Sequence, residues 1–257
     1  KRFLRAPSAS PLCGSRTGET GLFPHRACVR SSDPVPAGSG HGDQLPGVLL
    51  RPLDPVLLVV DVGDLPPAPV RHGIAAHVIA ADINPQPLQS AIKNAEKFGV
   101  EEHIEFHLSD GAKSIPKDFD TMVCAGMGAD TMISIIENAP WLKSTSYRFV
   151  LQCQSKTAML RKYLNENCFS IVRESAIKDG RFLYSVMEVV FKQEVPFTPR
   201  QCHFSPALAK ELTEENIAYY RQVVTRLERE VAGQKEAADP VSMVALRELK
   251  ENAYDNR

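Results

Sequence analysis

The stretch from Phe119 to Ile136, FDTMVCAGMGADTMISII, constrains the fold more than any other part of the chain. Its apolar run 121–125 has the length and the β-favouring composition of a buried parallel strand. Gly126 and Gly128 break this run and apolar residues then recur at helical spacing, so the stretch predicts a strand, a glycine loop and a helix. In an open α/β sheet such a loop lies at the carboxyl edge, where ligands bind, and glycines let a substrate ring approach the backbone. An ordinary strand-to-helix turn is the simpler interpretation of Gly-x-Gly taken alone.

Two earlier strands end in acidic residues at an informative spacing. The apolar run 56–60 leads into Asp61-Val62-Gly63, and the run 77–81 leads into Asp82, 21 positions after Asp61. One strand-helix-strand unit has this spacing when the first strand tip holds the phosphate or amino-acid end of a nucleotide-like cofactor and the second acid binds ribose hydroxyls. Dehydrogenases and methyltransferases share the pattern, so it leaves both classes open.

The region between Asp82 and the glycine loop continues the alternation of helices and strands. Asn84 and Gly99 predict the two ends of a helix, and alternating apolar residues in 104–108 predict a third strand. This strand brings Asp110 and Gly111 to the same edge of the sheet. Because a carboxylate only accepts hydrogen bonds, Asp110 suits a donor such as the exocyclic amine of adenine.

The strands that follow the glycine loop distinguish the two classes. Residues 147–152 predict a fifth strand, which leads into a helix. Two further β-favouring runs, 170–175 and 182–192, flank an Asp179-Gly180 turn signal, which predicts an antiparallel hairpin. Five αβ units closed by an antiparallel pair are typical of class I methyltransferases, and dehydrogenases lack this ending. We therefore predict an α/β fold with a Rossmann-like class I methyltransferase sheet.

The chain divides into three segments by pattern. We expect an irregular segment at 1–54, a Rossmann-like domain at 55–196 and a helical, coiled-coil-like extension at 205–257. In the extension, Asp239-Pro240 separates two apolar stripes, which predicts an antiparallel helical hairpin. Its ten acidic and eight basic residues favour a scaffold as much as a nucleic-acid-binding surface. Its one basic cluster consists of Arg221, Arg226 and Arg229.

The first seventy residues differ in composition from the rest. They hold eleven of the 19 prolines, no lysine occurs between Lys1 and Lys93, and the chain does not begin with Met. We hypothesise that much of residues 1–70 is translated out of frame, with 56–63 as a brief return to frame. A divergent but genuine N-terminal segment is the alternative.

Overall composition is that of an ordinary soluble protein, with 43% hydrophobic residues and a net charge of −1. A nucleic-acid partner would therefore need a local basic surface. No apolar run approaches the roughly 20 residues of a membrane span, and the six cysteines show no metal-ligand spacing. We interpret Cys124, Cys153 and Cys168 as buried thiols of a cytoplasmic protein. We expect neither a membrane nor a metal as partner and take a monomer as the default.

Several motifs resemble those of the bacterial tRNA (adenine(22)-N1)-methyltransferase family. They are ADINPQPLQSA (81–91), LSDG (108–111), DTMVCAGMG (120–128), LQ (151–152), LRKYL (160–164) and DGRFLY (179–184). The resemblance is close over residues 70–191 and loose over the C-terminal helices, and AGMG after an Asp-led strand is its most specific element. It implies transfer of a methyl group from S-adenosyl-L-methionine to N1 of an adenine in the tRNA D arm.

The resemblance also implies roles for individual residues. Cofactor binding is assigned to Asp61, Gly63, Asp82, Ile83, Asp110 and Gly111, and the target base to Ala125, Gly126, Met127, Gly128 and Asp130. Adenine N1 is already a nucleophile, so positioning of the base beside the methyl group carries most of the catalysis. A paired adenine hides N1, so the base has to turn out of its helix. Asp130 either accepts from the exocyclic amine or caps the next helix.

Two departures from the family pattern bear on activity. Ala129 replaces a glycine, which is a mild change. Pro66, Pro67 and Pro69 stand where a helix is expected after the first strand. Each proline inside a helix costs about 3 kcal/mol, so we expect no helix there. Two alternatives therefore stay open: a methyltransferase of a small molecule, and a catalytically silent remnant of the fold.

Overall fold

A single mixed sheet organises the part of the chain that this computed structural model describes, residues 56–60, 67–233 and 239–252. Its order is β3-β2-β1-β4-β5-β7-β6. The first five strands along the chain are parallel, and β7 runs antiparallel to both β5 and β6. This topology confirms the predicted Rossmann-like class I methyltransferase sheet. The strands are β1 Val56–Val60, β2 His77–Asp82, β3 Ile104–Leu108, β4 Thr121–Gly128, β5 Arg148–Ser155, β6 Phe169–Asp179 and β7 Phe182–Phe191.

Helices cover the two faces of this sheet. One apolar cluster joins β1, β2 and β3 to α2, and a larger one joins the middle strands to α3 and α4. Strands β1 and β2 are almost wholly buried at their apolar positions, as expected when parallel strands are covered on both faces. The helices are α1 Pro67–Arg71, α2 Pro85–Phe98, α3 Ala129–Glu137, α4 Thr157–Glu166, α5 Pro199–His203, α6 Pro206–Lys210, α7 Glu214–Gly233 and α8 Pro240–Glu251, with short 3-10 turns at Glu101–His103 and Pro140–Leu142.

The boundaries of α2 follow from its sequence. Asn84 occupies the N-cap position with Pro85 directly after it, and Gly99 ends the helix in the left-handed conformation with φ 65°. The N–H of Gly99 donates to the carbonyls of Ala95 and Glu96. The predicted ends are confirmed, although the Asn84 side chain makes no capping hydrogen bond.

The segment after β1 corrects the prediction that prolines exclude a helix there. Pro67 and Pro69 are the first and third residues of α1. Proline is tolerated in the first turn because N–H groups there have no partner within the helix. The Pro69 carbonyl accepts from the N–H groups of Ile74 and Ala75, which directs the chain into β2. The predicted cofactor residues Asp61 and Gly63 lie outside the described residues.

The predicted glycine loop after Ala125 is instead part of the sheet. Strand β4 continues to Gly128, and its last residues pair with β5 after a shift in register. Gly126 adopts φ 82° at this shift and is the extra residue of a β-bulge. Pairing resumes at Met127, which lies opposite Cys153. Sequence alone suggested a break because Gly126 was interpreted as a turn.

The C-terminal helices pack together and onto β6. Their cluster includes Ala176 of β6 together with Tyr220 and Leu249. The Tyr220 hydroxyl donates to the Leu249 carbonyl at 2.7 Å, which fastens α7 to α8. The predicted helical content is thus present, while the antiparallel hairpin and the domain boundaries stay predictions. No described helix is long and apolar enough to cross a membrane.

The three cysteines predicted to be buried are buried. Cys153 is a thiol, whereas Cys168 takes part in a disulfide bond. The thiol prediction is therefore wrong for Cys168.

Candidate active site

A cleft of about 550 Å³ opens at the carboxyl edge of the parallel strands. It brings together six of the residues that the sequence predicts for the site: Asp82, Ile83, Asp110, Gly111, Met127 and Asp130. Val60, Asn84, Thr131, Ser134 and Ile135 complete the lining. The sequence pattern identified Asp130 of α3 but not its neighbours Thr131, Ser134 and Ile135. The helical spacing of Thr131, Ser134 and Ile135 just after the glycines was the signal that could have found them.

Asp82 ends β2 at the floor of the cleft and is only 4% exposed. Its Oδ1 accepts a hydrogen bond from the Asn84 N–H at 2.8 Å, so the carboxylate orients the first turn after the strand. The exposed Ile83 lies between these two residues. The arrangement presents a nearly buried acid beside an apolar side chain, which suits a ribose hydroxyl next to an aromatic base.

The turn after β3 forms the second wall. The buried Ser109 hydroxyl donates to the Gly111 carbonyl at 2.9 Å and accepts from the Ser114 N–H at 3.1 Å. The Asp110 carboxylate lies 2.5 Å from Lys113 Nζ. The hydrogen bonds of Ser109 therefore stabilise the turn, and Asp110 lines the cleft.

Gly111 brings this turn into close contact with α3. It adopts φ 59°, and a Cβ atom added there would lie 2.8 Å from Ile135 Cγ1. Both the backbone conformation and the space thus require glycine at this position.

The end of β4 separates the cleft from a different surface. Met127 lies opposite Cys153 of β5, and its side chain lines the cleft. Ala125 lies opposite Gln152, and its side chain faces the other side of the sheet. The Gly126 N–H donates to the Gln152 Oε1 at 2.8 Å, which fixes the bulge. Of the five residues predicted for the target base, Met127 and Asp130 line the cleft, whereas Ala125, Gly126 and Gly128 do not.

Asp130 is not the cap of α3. The N-cap position belongs to Gly128, and Asp130 lies in the first helical turn. Its Oδ2 lies 2.8 Å from Lys156 Nζ, in an exposed ion pair. The capping interpretation is therefore wrong, because the helix begins at Ala129, one residue before Asp130.

Lys156, the partner of Asp130, is a site residue that no sequence pattern predicted. It adopts the left-handed conformation with φ 56° at the start of α4. A lysine in this conformation gives no signal in sequence, because only the junction of β5 and α4 requires it.

Within 56–60, 67–233 and 239–252, no group of three or more His, Cys, Asp or Glu side chains is placed to hold a metal ion.

The sheet order and the acids at the ends of β2 and β3 define a Rossmann-like methyltransferase of class I. The chain belongs to the methyltransferase domain family, which matches residues 58–187.

Relatives with assigned names agree with this membership. A provisionally named tRNA methyltransferase of Mycoplasma genitalium is 32% identical over 123 residues, which are 47% of this chain and 53% of the relative. The tRNA (adenine(22)-N(1))-methyltransferase of Bacillus subtilis is 27% identical over 135 residues, 51% of this chain and 57% of the relative. The chain thus spans about half the length of the curated relatives it matches.

One solved structure matches over a longer part. It is a provisionally named tRNA (m1A22) methyltransferase of Streptococcus pneumoniae in complex with S-adenosyl-L-methionine, with 25% identity and a TM-score of 0.67. The match covers 77% of this chain and 92% of that protein.

Proposed function

We propose that this protein transfers a methyl group from S-adenosyl-L-methionine to N1 of an adenine in the D arm of tRNA, at position 22. The observation that carries the proposal is the cleft itself. It joins Asp82 and Asp110 to the end of β4, where Met127 forms the border between cleft and sheet. The Bacillus subtilis and Streptococcus pneumoniae relatives carry the names of enzymes with this specificity.

The cleft suits S-adenosyl-L-methionine in size and in chemistry. Its volume falls within the ~300–1,000 Å³ of small-molecule sites. Asp82 would hold the ribose hydroxyls and Asp110 the adenine amine, because both groups are donors and a carboxylate accepts. Ile83 and Ile135 would contact the faces of the adenine ring. Asp61 and Gly63, predicted for the methionine end, lie outside the described residues.

The chain's own contribution to catalysis would be positioning. The bound cofactor supplies an electrophilic methyl group. Adenine N1 carries a lone pair and needs no activation, so the backbone at Ala125, Gly126 and Gly128 has to place the base in line and exclude water. The absence of a Cβ at Gly126 leaves the backbone open to a ring that turns out of the RNA.

Asp130 is assigned a supporting role. Its carboxylate borders the cleft and is held by Lys156, so it is placed to accept from a donor of the substrate or of the cofactor. The tRNA is the macromolecular partner in this proposal, and a monomer is the default state.

Calorimetric titration with S-adenosyl-L-methionine tests the cofactor site. Asp82→Asn should weaken binding about 10- to 150-fold, because hydrogen bonds to charged groups contribute about 1.5–3 kcal/mol. The matched control is Asp118→Asn, an exposed aspartate outside the cleft lining, which should bind as the wild type does. Equal affinity in all three proteins would place the cofactor elsewhere.

Incubation with an unmodified tRNA transcript tests the reaction. Mass spectrometry of the digested RNA should detect 1-methyladenosine at position 22. Cofactor binding without methylated RNA would favour the small-molecule methyltransferase. Absence of cofactor binding by the wild type would favour the catalytically silent remnant.

A further inference from the structure

A second pocket opens at the same edge of the sheet, on the other side of the β4 terminus. Its volume is about 280 Å³, and it lies where β5 ends and the β6–β7 hairpin begins to project. Its lining consists of Gln152, Gln154, Ile177, Asp179, Tyr184 and Val186. None of these residues lines the cofactor cleft.

The strand registers place these side chains on one face of the sheet. Gln152 lies opposite Val186, and Tyr184 lies opposite Ile177. Directly opposed residues in antiparallel strands point to the same face. The C-terminal helices pack on the other face of the hairpin, where Ala176 is buried. The pocket therefore lies on the face of the hairpin that the C-terminal helices do not cover.

The pocket and the cleft share the bulge at Gly126. The Gly126 N–H donates to Gln152 Oε1, and a Cβ atom added to Gly126 would lie 3.8 Å from Gln154 Nε2. Met127, the next residue, contributes to the cofactor cleft instead. A planar group bound in the pocket would therefore lie next to Gly126, whose neighbour Met127 lines the cofactor cleft.

We propose that this pocket binds the target adenine and that the Gln154 carboxamide recognises the N6 amine and N7 of that base. The inference rests on the proposed function and specifies which residues select adenine.

The chemistry of N1 methylation favours recognition through the N6 and N7 edge. N1 has to remain free to attack the methyl group, so no hydrogen bond from the protein to N1 is permitted in the reactive pose. A glutamine carboxamide accepts from N6 and donates to N7 at the same time, which identifies adenine and leaves N1 open. The Gln154 side chain makes no hydrogen bond among the described residues, whereas the Gln152 side chain already accepts one from the Gly126 N–H.

The remaining walls of the pocket suit an aromatic base. The Tyr184 ring offers a stacking surface, as aromatic residues do for bases that leave a helix. Ile177 and Val186 add apolar contacts, and a volume of about 280 Å³ is at the small end for ligand sites, as a single base requires.

The mouth of the pocket favours an RNA strand over a free nucleobase. Phe182, two residues before Tyr184 on β7, is 51% exposed, and the Arg181 guanidinium lies 4.9 Å from the centre of its ring. The ring of Phe182 is also 6.2 Å from that of Tyr184. An exposed aromatic residue beside a cation is suited to neighbouring nucleotides and their phosphates.

The test compares two full tRNA transcripts that carry adenine or 7-deazaadenine at the target position. The 7-deaza base lacks the N7 acceptor and retains N1. Wild type and Gln154→Ala are assayed for kcat/KM on both transcripts, with Gln89→Ala, an exposed glutamine of α2, as the control. Gln152 is left unchanged because its loss would free the Gly126 N–H.

On adenine, Gln154→Ala should lower kcat/KM about 10- to 100-fold, while Gln89→Ala should leave it unchanged. Replacing N7 should lower kcat/KM of the wild type and of Gln89→Ala several-fold but should change that of Gln154→Ala by less than twofold. Titration with S-adenosyl-L-methionine should give the same Kd for all three proteins.

Two results would overturn the inference and leave the proposed function intact. One is that Gln154→Ala is as active as Gln89→Ala on adenine. The other is that replacement of N7 lowers kcat/KM by the same factor in Gln154→Ala and in Gln89→Ala. A weaker cofactor Kd in Gln154→Ala would also overturn it, because the side chain would then act through the cleft. If the wild type methylates neither transcript, the proposed function itself fails.

Discussion

Arg161 Nη2 lies 2.7 Å from Glu174 Oε1, and neither side chain exposes more than 1% of its surface. Arg161 also donates to the carbonyls of Cys202 and His203, and Glu174 accepts from the Ser205 hydroxyl at 2.6 Å. Burial has the largest single effect and lowers the pKa of Arg161, but the charges and hydrogen bonds of Glu174 and Tyr219 together raise the pKa above its usual value, so the guanidinium stays charged. This pair joins α4 and β6 to the segment that leads into the C-terminal helices.

Removal of the arginine alone should destabilise the protein strongly. Arg161→Met leaves Glu174 buried without its cation, which should lower the free energy of unfolding by about 3–5 kcal/mol. The paired variant Arg161→Met, Glu174→Leu removes both charges and should recover most of this loss. Urea denaturation followed by circular dichroism measures both. A double variant no more stable than the single one would contradict the expectation.

Alanine at Gly111 should act differently from alanine at Gly99. Both glycines have φ near 60°, so each substitution introduces about 1–2 kcal/mol of backbone strain. Only Gly111→Ala also places a Cβ 2.8 Å from Ile135, whereas nothing lies within 4 Å at Gly99. Gly111→Ala should therefore lose more stability and also bind S-adenosyl-L-methionine more weakly, while Gly99→Ala retains the wild-type Kd. Identical unfolding midpoints and identical Kd values would show that the close contact is unimportant.

Two substitutions of Lys156 should separate its backbone strain from its ion pair. Both Lys156→Gly and Lys156→Ala remove the contact with Asp130, which is exposed and contributes less than about 1 kcal/mol. Only glycine relieves the left-handed conformation at φ 56°. The glycine variant should thus be about 1 kcal/mol more stable than the alanine variant in thermal and urea unfolding. The opposite order would mean that the left-handed conformation is absent in solution.

Acid should destabilise the native state through His203. Burial and the positive charges of Arg226 and Arg161 lower the pKa of His203 from 6.5 to about 4. Between these pH values the unfolded chain binds a proton at His203 and the folded chain does not. Stability from this group is therefore complete above pH 6.5 and declines as the pH falls towards 4, by roughly 3 kcal/mol at most.

His203→Gln serves as the comparison, because glutamine does not titrate. The difference in unfolding free energy between pH 7 and pH 4.5 should be smaller in the variant than in the wild type. Equal differences in the two proteins would assign the acid sensitivity to other groups.

Local sequence patterns predicted much of the sheet and some of the site. The Asp179-Gly180 signal gave the β6–β7 turn, and Gly99 gave the end of α2, because each depends on the φ angle of one glycine. The acids Asp82 and Asp110 were found because parallel strands bring their carboxyl ends to one edge. The same patterns were wrong at Gly126, where only pairing with β5 decides between a turn and a bulge.

The sequence by itself determined the order of the strands, the sheet class and the two acids of the cleft, because periodicity and turn residues act over a few positions. The tertiary structure alone decided the contacts between distant parts of the chain. Gly126 meets Gln152, Asp130 meets Lys156, and Arg161 meets Glu174 only after β5 and its neighbours adopt their register. Side-chain partners in a packed sheet depend on strand register and helix placement, and no local pattern in the sequence encodes either.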